Sequence, residues 1–504
     1  PPHPYAMKCC GADLNHNLWL NLVIAALMGF SESIWTNTIG VAFIYDVWGG
    51  SNTKVGLATA LTGVAAMLTA FPAGWAADRF RRSAVIRVGA VSILLAVPLY
   101  GAGVVGASEG VGPSKAACYA LICVASGLFG VSQGISNGPA QALLADSVPT
   151  GQRSKFYNWL FVSYIVPSLL GPVISVVYFE VKGNDWSMAA LRDLMCLGLV
   201  LEVPVGLLSC LFRDDKALGS ESDAVQDRRA SDFSETPSGD FVSLTDVEDS
   251  KEGEAPKEGE APAGEPETPA ADEEHEKLAA DPRVARVPYV VFATDLVVAL
   301  GSGMTVKFFP LFFKNDCGMS PASVQGIYIA VPLFMACAST AATGLAKITG
   351  RVQAVLLLRL CGLCCFGAMV VLFDRGFAAG NAKWAIVAFY VVRTALMNCT
   401  YPLEESILMD YVPKHTRARW KSLESVSMFG WCGSALAGGV LADKFGYTRT
   451  FLITIGLQGT GMLFYAQLLG IVAKEADLQK QAPPPDADLA APLLAGDEPE
   501  TSVQ

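Results

Sequence analysis

The sequence predicts an all-α membrane protein: twelve transmembrane helices in two six-helix bundles, joined by a long acidic linker. Three observations lead there. Only 16% of the 504 residues are charged and mean hydropathy is +0.40, whereas an ordinary soluble domain is about 25% charged. Apolar runs of the roughly 20 residues that a bilayer core about 30 Å thick requires recur along the chain. A polar gap divides these runs into two groups of six.

The first group runs at 18–45, 55–77, 84–107, 116–136, 159–179 and 188–212. The second runs at 287–313, 322–346, 352–373, 384–409, 422–442 and 449–473. Gly and Pro are frequent inside these runs, a burden that membrane helices tolerate better than soluble ones. The expected organisation is a tail at 1–17, a bundle at 18–213, a linker at 214–285, a second bundle at 286–473 and a tail at 474–504.

The linker holds the six-residue repeat KEGEAPKEGEAP at 251–262, and residues 214–277 carry 21 acidic and 6 basic side chains. Such a segment cannot bury enough apolar surface to offset the entropy of ordering, so a disordered tether is expected. The tail 473–504 adds 7 acidic and 2 basic residues. The total charge of −11 therefore leaves about +9 on the membrane part, and the acidity says nothing of a substrate.

The two halves repeat. Asp146-Ser-Val-Pro149 with Arg153, Lys155 and Phe156 follows the fourth run; Asp410-Tyr-Val-Pro413 with Arg417, Arg419 and Trp420 follows the tenth. All six matches share one offset of 264, and internal repeats of this kind build many transporter folds. Basic residues concentrate in the loops after runs two, four, eight and ten, among them Arg79, Arg82, Arg153, Lys347, Arg351 and Arg417. That bias places these loops, both tails and the linker in the cytoplasm, in the plasma membrane or an organelle membrane.

Between runs two and three stands Gly74-x-x-x-Asp78-Arg79-x-x-Arg82. Simple positive-inside anchoring accounts for its arginines but not for Asp78 at its distance from Gly74. The stretch resembles the cytoplasmic loop signature of the major facilitator superfamily, and the resemblance extends to the span count and the central linker. It implies the major facilitator fold and a cytoplasmic latch that couples the bundles. In that latch Asp78 would meet a helix N-terminus, Arg82 would pair with Asp146, and Gly74 would admit close packing. Arg79, Arg153, Asp410 and Arg417 complete the expected latch. Three positions depart from the pattern: Arg81 replaces a glycine, Lys347 stands where the second half would place an aspartate, and Gly130 occupies the place of the fourth-span arginine linked to proton coupling. Gly439-x-x-x-Asp443-Lys444-x-Gly446 matches the signature on the opposite face, where only a turn-shaping role is expected.

Ionisable residues inside spans mark a pathway or a paired structural site. Glu32, Asp295 and Arg393 fall in spans one, seven and ten, which line the central cavity in the resembled family. Lys307 is also intramembrane, and Glu202 carries less weight because its span is peripheral in that family. Asn37, Gln133, Asn137 and Asn398 add polar groups to the expected substrate or proton path. A Glu32–Arg393 ion pair is the structural alternative. Trp35, Phe308, Phe309, Phe312 and Tyr390 read first as packing residues.

No phosphate-binding loop and no catalytic box is present, and all four histidines lie outside the spans. An enzyme, a catalytic residue, a cofactor and a metal site are therefore not expected. The expected activity is secondary active transport of a small polar or amphipathic solute by alternating access, with protons as a candidate coupling partner. Lipid is the other expected partner, with no nucleic acid and a monomeric chain. A transporter-like sensor signalling through the linker is the alternative; a facilitative channel would need no bundle-coupling loops.

Overall fold

The computed structural model describes residues 7–9, 12–110, 114–148, 153–217, 283–412 and 424–472. The linker repeat, Arg417 and the C-terminal tail lie outside the described residues, as do the side chains of Asp78 and Arg153. A short antiparallel hairpin, β1 (Met7–Cys9) and β2 (Ala12–Leu14), precedes the helices in the stretch read as a tail. It is the one described departure from an all-α chain.

In the first half, span one is α1 (His16–Trp35) and α2 (Thr38–Val47). Three unbroken rods follow: α3 (Asn52–Arg79), α4 (Arg82–Glu109) and α5 (Lys115–Asp146). Span five divides into α6 (Arg153–Ser168) and α7 (Leu170–Lys182), and α8 (Met188–Ser209) is the sixth. The second half repeats this with α9 (Val287–Val306), the single turn α10 (Phe309–Leu311), α11 (Pro321–Thr349) and α12 (Arg351–Asp374). Span ten is α13 (Lys383–Asn398) and α14 (Tyr401–Tyr411); α15 (Glu424–Phe445) and α16 (Tyr447–Tyr465) close the bundle. Ten stretches among the described residues are long and apolar enough to cross a membrane. The rods α8 and α15 complete the twelve.

Four spans are broken, and local chemistry places each break. A helical proline offers no N–H to the carbonyl four residues earlier and its ring crowds it. Pro172, Pro310 and Pro402 stand four residues after Ser168, Val306 and Asn398, which are the last residues of α6, α9 and α13. In span one no proline is needed. The Thr36 hydroxyl donates to the Glu32 carbonyl at 2.8 Å, competing with the next helical bond, and Asn37 leaves the helical region with ψ −90°. The outer faces are apolar, with Leu463 72% and Phe161 64% exposed where lipid is the solvent.

Glycines set the closest approaches. A Cβ on Gly303 would collide with the Trp431 carbonyl of α15, and one on Gly438 with the Met304 carbonyl of α9. A Cβ on Gly326 would meet nothing within 4 Å. The linker end differs. Around Gly74 there is open space within 4 Å of an added Cβ, against the expectation that it packs closely. Gly74 is exposed on α3, with nothing there to pack on.

Each half braces its own linker end. Arg82, the first residue of α4, pairs with Asp146, the last of α5. Arg351, the first residue of α12, pairs with Asp410 in α14 and donates to Ser406 at 2.7 Å. Apart from a contact made by Lys307 in mid-membrane, the described bonds that join the halves lie at the opposite end. Asp443 accepts from the backbone N–H groups of Asn52 and Thr53, both at 2.8 Å, and from the Thr53 hydroxyl at 2.6 Å. These are the first N–H groups of α3, so the carboxylate sits on that helix's positive end. Tyr447 donates to Asn52 at 2.9 Å, Lys314 pairs with Asp46, and the Trp186 indole donates to the Met319 carbonyl at 2.9 Å. Gly439 lies under the Asn52 carbonyl with no room for a Cβ. The Gly439–Asp443 stretch thus does more than shape a turn: it fastens α15 to α3.

Two outcomes follow. Gly303→Ala should cost about 1–3 kcal/mol through overpacking, lowering the thermal unfolding midpoint in detergent, while Gly326→Ala should stay within about 0.5 kcal/mol. Asp443→Asn removes the charge from the α3 terminus, worth about 2 kcal/mol in a partly buried setting, or roughly thirtyfold in the ratio of closed to open molecules. Spin labels at positions 185 and 381, on exposed residues of the closed end, should report a new long-distance population in that variant.

Candidate functional site

Between the bundles lies a cavity of about 910 Å³. It runs from Asn21, Ala140, Phe161 and Phe212 near the linker end up to Ile44 and Val55 beneath the closed end. The two most polar points on its wall come from broken spans. Lys307 caps the C-terminus of α9, and its ammonium donates to the Asn37 side chain at 2.9 Å and to the Thr36 carbonyl at 3.4 Å. A break in span seven therefore reaches into a break in span one. The free carbonyls at the end of α1 suit a cation, because a helix C-terminus is its negative pole. The Trp431 ring lies 5.9 Å from the same ammonium and supplies a cation–π face.

Across the cavity stands Glu32, whose carboxylate accepts from the Tyr164 hydroxyl at 2.8 Å. The glutamate and Lys307 are close enough to act on each other electrostatically. Around them Gln133, Asn137, Ser132, Ser136 and Thr62 add hydroxyl and amide groups from α3 and α5. Glu202 also lines the cavity, 2% exposed, and accepts from Ser31 at 2.8 Å and from the Trp35 indole at 3.4 Å. One wall thus offers two carboxyls and the other an ammonium.

The expected path residues divide. Glu32, Asn37, Gln133 and Asn137 line the cavity. Arg393, Asp295 and Asn398 are not among its lining residues. Arg393 is 3% exposed and turned into the second bundle, 4.4 Å over the Phe366 ring, with Gln458 at 3.5 Å. The Glu32–Arg393 pair considered from sequence is replaced by Glu32 facing Lys307. The reason is the helical phase of α13, which points position 393 toward the phenylalanine core. Asn398 is exposed and bonds back to the Thr394 carbonyl at 2.7 Å. Phe308, Phe309, Phe312 and Tyr390 pack in the core, as expected from the sequence, whereas Trp35 both packs on Tyr100 and reaches the cavity.

Three features escaped the sequence reading. Tyr164 could not be paired with Glu32 without the packing of α6 on α1. Glu202 was discounted for its span, yet its helix packs directly on α1 through Ser31. A buried ion pair joins Arg359 to Glu404 at 2.7 Å, both at most 8% exposed. Its signal was in plain view, since both residues are ionisable and fall inside predicted spans.

Comparison with known proteins agrees with this architecture. The sequence profile of the Major Facilitator Superfamily matches residues 22–431. Among solved structures, a bacterial homologue of the iron transporter ferroportin in its inward-facing state is similar, at 10% identity and TM-score 0.62, covering 90% of this chain and 98% of that one. A D-xylose–proton symporter is similar at 12% identity and TM-score 0.59, over 91% of this chain and 97% of the other. The xylose transporter from E. coli, in a partially occluded inward-open conformation, is similar at 13% identity and TM-score 0.57, over 91% and 100%. No curated protein matches the chain in sequence. With the profile spanning most of the sequence, two six-helix bundles and a polar cavity between them, the chain belongs to the Major Facilitator Superfamily, a multi-pass membrane protein of a family of secondary transporters rather than enzymes.

Proposed function

We propose that this transporter moves a small polar solute bearing an anionic group by alternating access, with Lys307 as the anchor for that group and Glu32 as a proton-binding residue. The observation that carries the reading is the arrangement of Lys307 and Glu32 in one cavity, at the breaks of spans one and seven. In a membrane interior a lysine held by a side-chain oxygen and a helix-end carbonyl is costly unless it serves a ligand or a partner. With two of its protons engaged by Asn37 and Thr36, the third remains for an anion. Binding of that anion neutralises Lys307, and protonation of Glu32 then leaves the cavity without net charge on either group.

The cavity reaches the linker end while the bundles are fastened at the other. The bias of basic residues puts the linker end in the cytoplasm, so this is the inward-facing form of the cycle. The residues at 18–213 and 286–473 act as the rocking bodies, in a monomer of the plasma membrane or an organelle membrane. Gly74, Asp78, Arg79, Arg82, Asp146, Arg153, Asp410 and Arg417 form the latch that closes the cytoplasmic end in the alternate form. In the present form Arg82–Asp146 and Arg351–Asp410 brace that end within each half.

Uptake into proteoliposomes with and without an imposed pH gradient, across a panel of amino acids and organic anions, tests this. Glu32→Gln should abolish dependence on the gradient while solute exchange persists. Lys307→Gln should raise the half-saturating concentration at least roughly thirtyfold, since losing one partner of a buried charged contact costs about 2 kcal/mol or more. Flux indifferent to the gradient and to both substitutions would overturn the reading.

A further inference from the structure

The cavity holds a second carboxyl with its own hydrogen-bond logic. Ser31 Oγ lies 2.9 Å from the Gly198 carbonyl oxygen and 2.8 Å from Glu202 Oε1. A serine hydroxyl has one proton to give and can also accept. A backbone carbonyl can only accept. With Glu202 ionised, the single Ser31 proton must choose between two acceptors, and one contact is left without a hydrogen. With Glu202 protonated, the carboxyl donates to Ser31 and Ser31 donates to Gly198, so both contacts are satisfied.

The surroundings favour a group that changes state. Glu202 is 2% exposed overall yet lines the cavity. Its remaining donor is the Trp35 indole at 3.4 Å, and no cation pairs with it among the described ion pairs. The titratable groups that face it are Glu32 on α1 and Tyr164 on α6, which acts on both carboxyls. From α4 the contact on α8 is apolar, Ile93 and Leu94 against Gly206, and from α2 it is Gly40 near Met195. Two carboxyls that share a low-dielectric site repel each other's charge, so a proton on one is felt by the other.

We infer that Glu202 is a second proton-binding carboxyl of the transport cavity, and that its proton decides whether Ser31 ties α1 to the Gly198 carbonyl of α8. The inference rests on the proton-coupled reading above but names a different residue and a different consequence. At Gly198 α8 lies close against α1, since a Cβ there would collide with Trp35. Losing a proton from Glu202 therefore redirects the Ser31 hydroxyl to the carboxylate and leaves one hydrogen bond between Ser31 and α8 where there were two. Span one carries Glu32 and the break that receives Lys307, so the charge on Glu202 is felt at both.

The test is infrared difference spectroscopy of the lipid-reconstituted protein between acid and alkaline pH, read in the carbonyl region of protonated carboxyls. The parent should give two titrating bands within the spans, one lost in Glu32→Gln and the other in Glu202→Gln. Ser31→Ala keeps the Glu202 band but shifts its frequency, because the acceptor for the carboxyl proton is gone. Ser31→Ala also gives the answer should Glu202→Gln fail to fold. A Glu202→Gln spectrum identical to the parent, or a Ser31→Ala spectrum without a shifted band, would overturn the inference while the Glu32 band still stood for proton coupling. Loss of no band in Glu32→Gln, with uptake indifferent to pH, would instead strike the broader reading.

Discussion

The structure depends on one carboxylate at one helix end. Asp443, at the C-terminal end of α15, accepts hydrogen bonds from the first N–H groups of α3, where a helix carries about half a positive charge. The two helices run antiparallel, and Gly439 lets them approach until no Cβ would fit. The spacing Gly-x-x-x-Asp places the glycine one turn before the carboxylate on the same face, so close approach and capping come from one stretch of sequence. With the Asp46–Lys314 pair and the Trp186 and Tyr447 bonds, this contact holds the halves together at one end and leaves the cavity reaching the other. The magnitude suits a moving part. A few kcal/mol is enough to bias two conformations and small enough to be recovered when the ends exchange roles.

The same economy governs the site. A backbone in hydrocarbon must satisfy its polar groups internally, so irregular segments survive only where they face protein or water. Three breaks have a proline four residues past the helix end, and the fourth has Thr36 and Asn37, whose side chains compete for backbone partners. Two of these breaks meet across the bundles through Lys307. The ammonium is thus satisfied by the irregularity it spans, and the site needs no loop within the membrane.

Much of this was legible beforehand. Twelve apolar runs follow from the dielectric of the bilayer alone, and most match the helices within a few residues, although the helix of the fourth span continues to Asp146, ten residues past its run, and the last ends at Tyr465, eight residues short. Asp146 and Asp410 are visible in the sequence as a repeat, whereas Arg351 follows Arg82 by 269 residues rather than 264, so the second brace does not fall on the same alignment. Helical phase was not legible. Inside a span every face is apolar, so periodicity does not say that position 393 looks into the phenylalanine core while 307 looks into the cavity. The role of Asp443 was hidden for another reason. Its partner is backbone, and the N–H groups of Asn52 and Thr53 have no signature in a side-chain sequence. Glu202 was passed over on the position of its span, whereas its place is decided by Ser31 one helix away.

The most direct test of the account is amide hydrogen exchange of the protein in lipid nanodiscs, comparing the parent with the Asp46→Asn, Asp443→Asn double variant. The account predicts slow exchange in the parent across residues 38–56 and 436–446. The variant should exchange faster there and more slowly across 66–82 and 343–352, since releasing one end lets the other close. An unchanged closed end, or faster exchange at both ends together, would contradict it, for then these bonds would hold the fold rather than choose between its two openings.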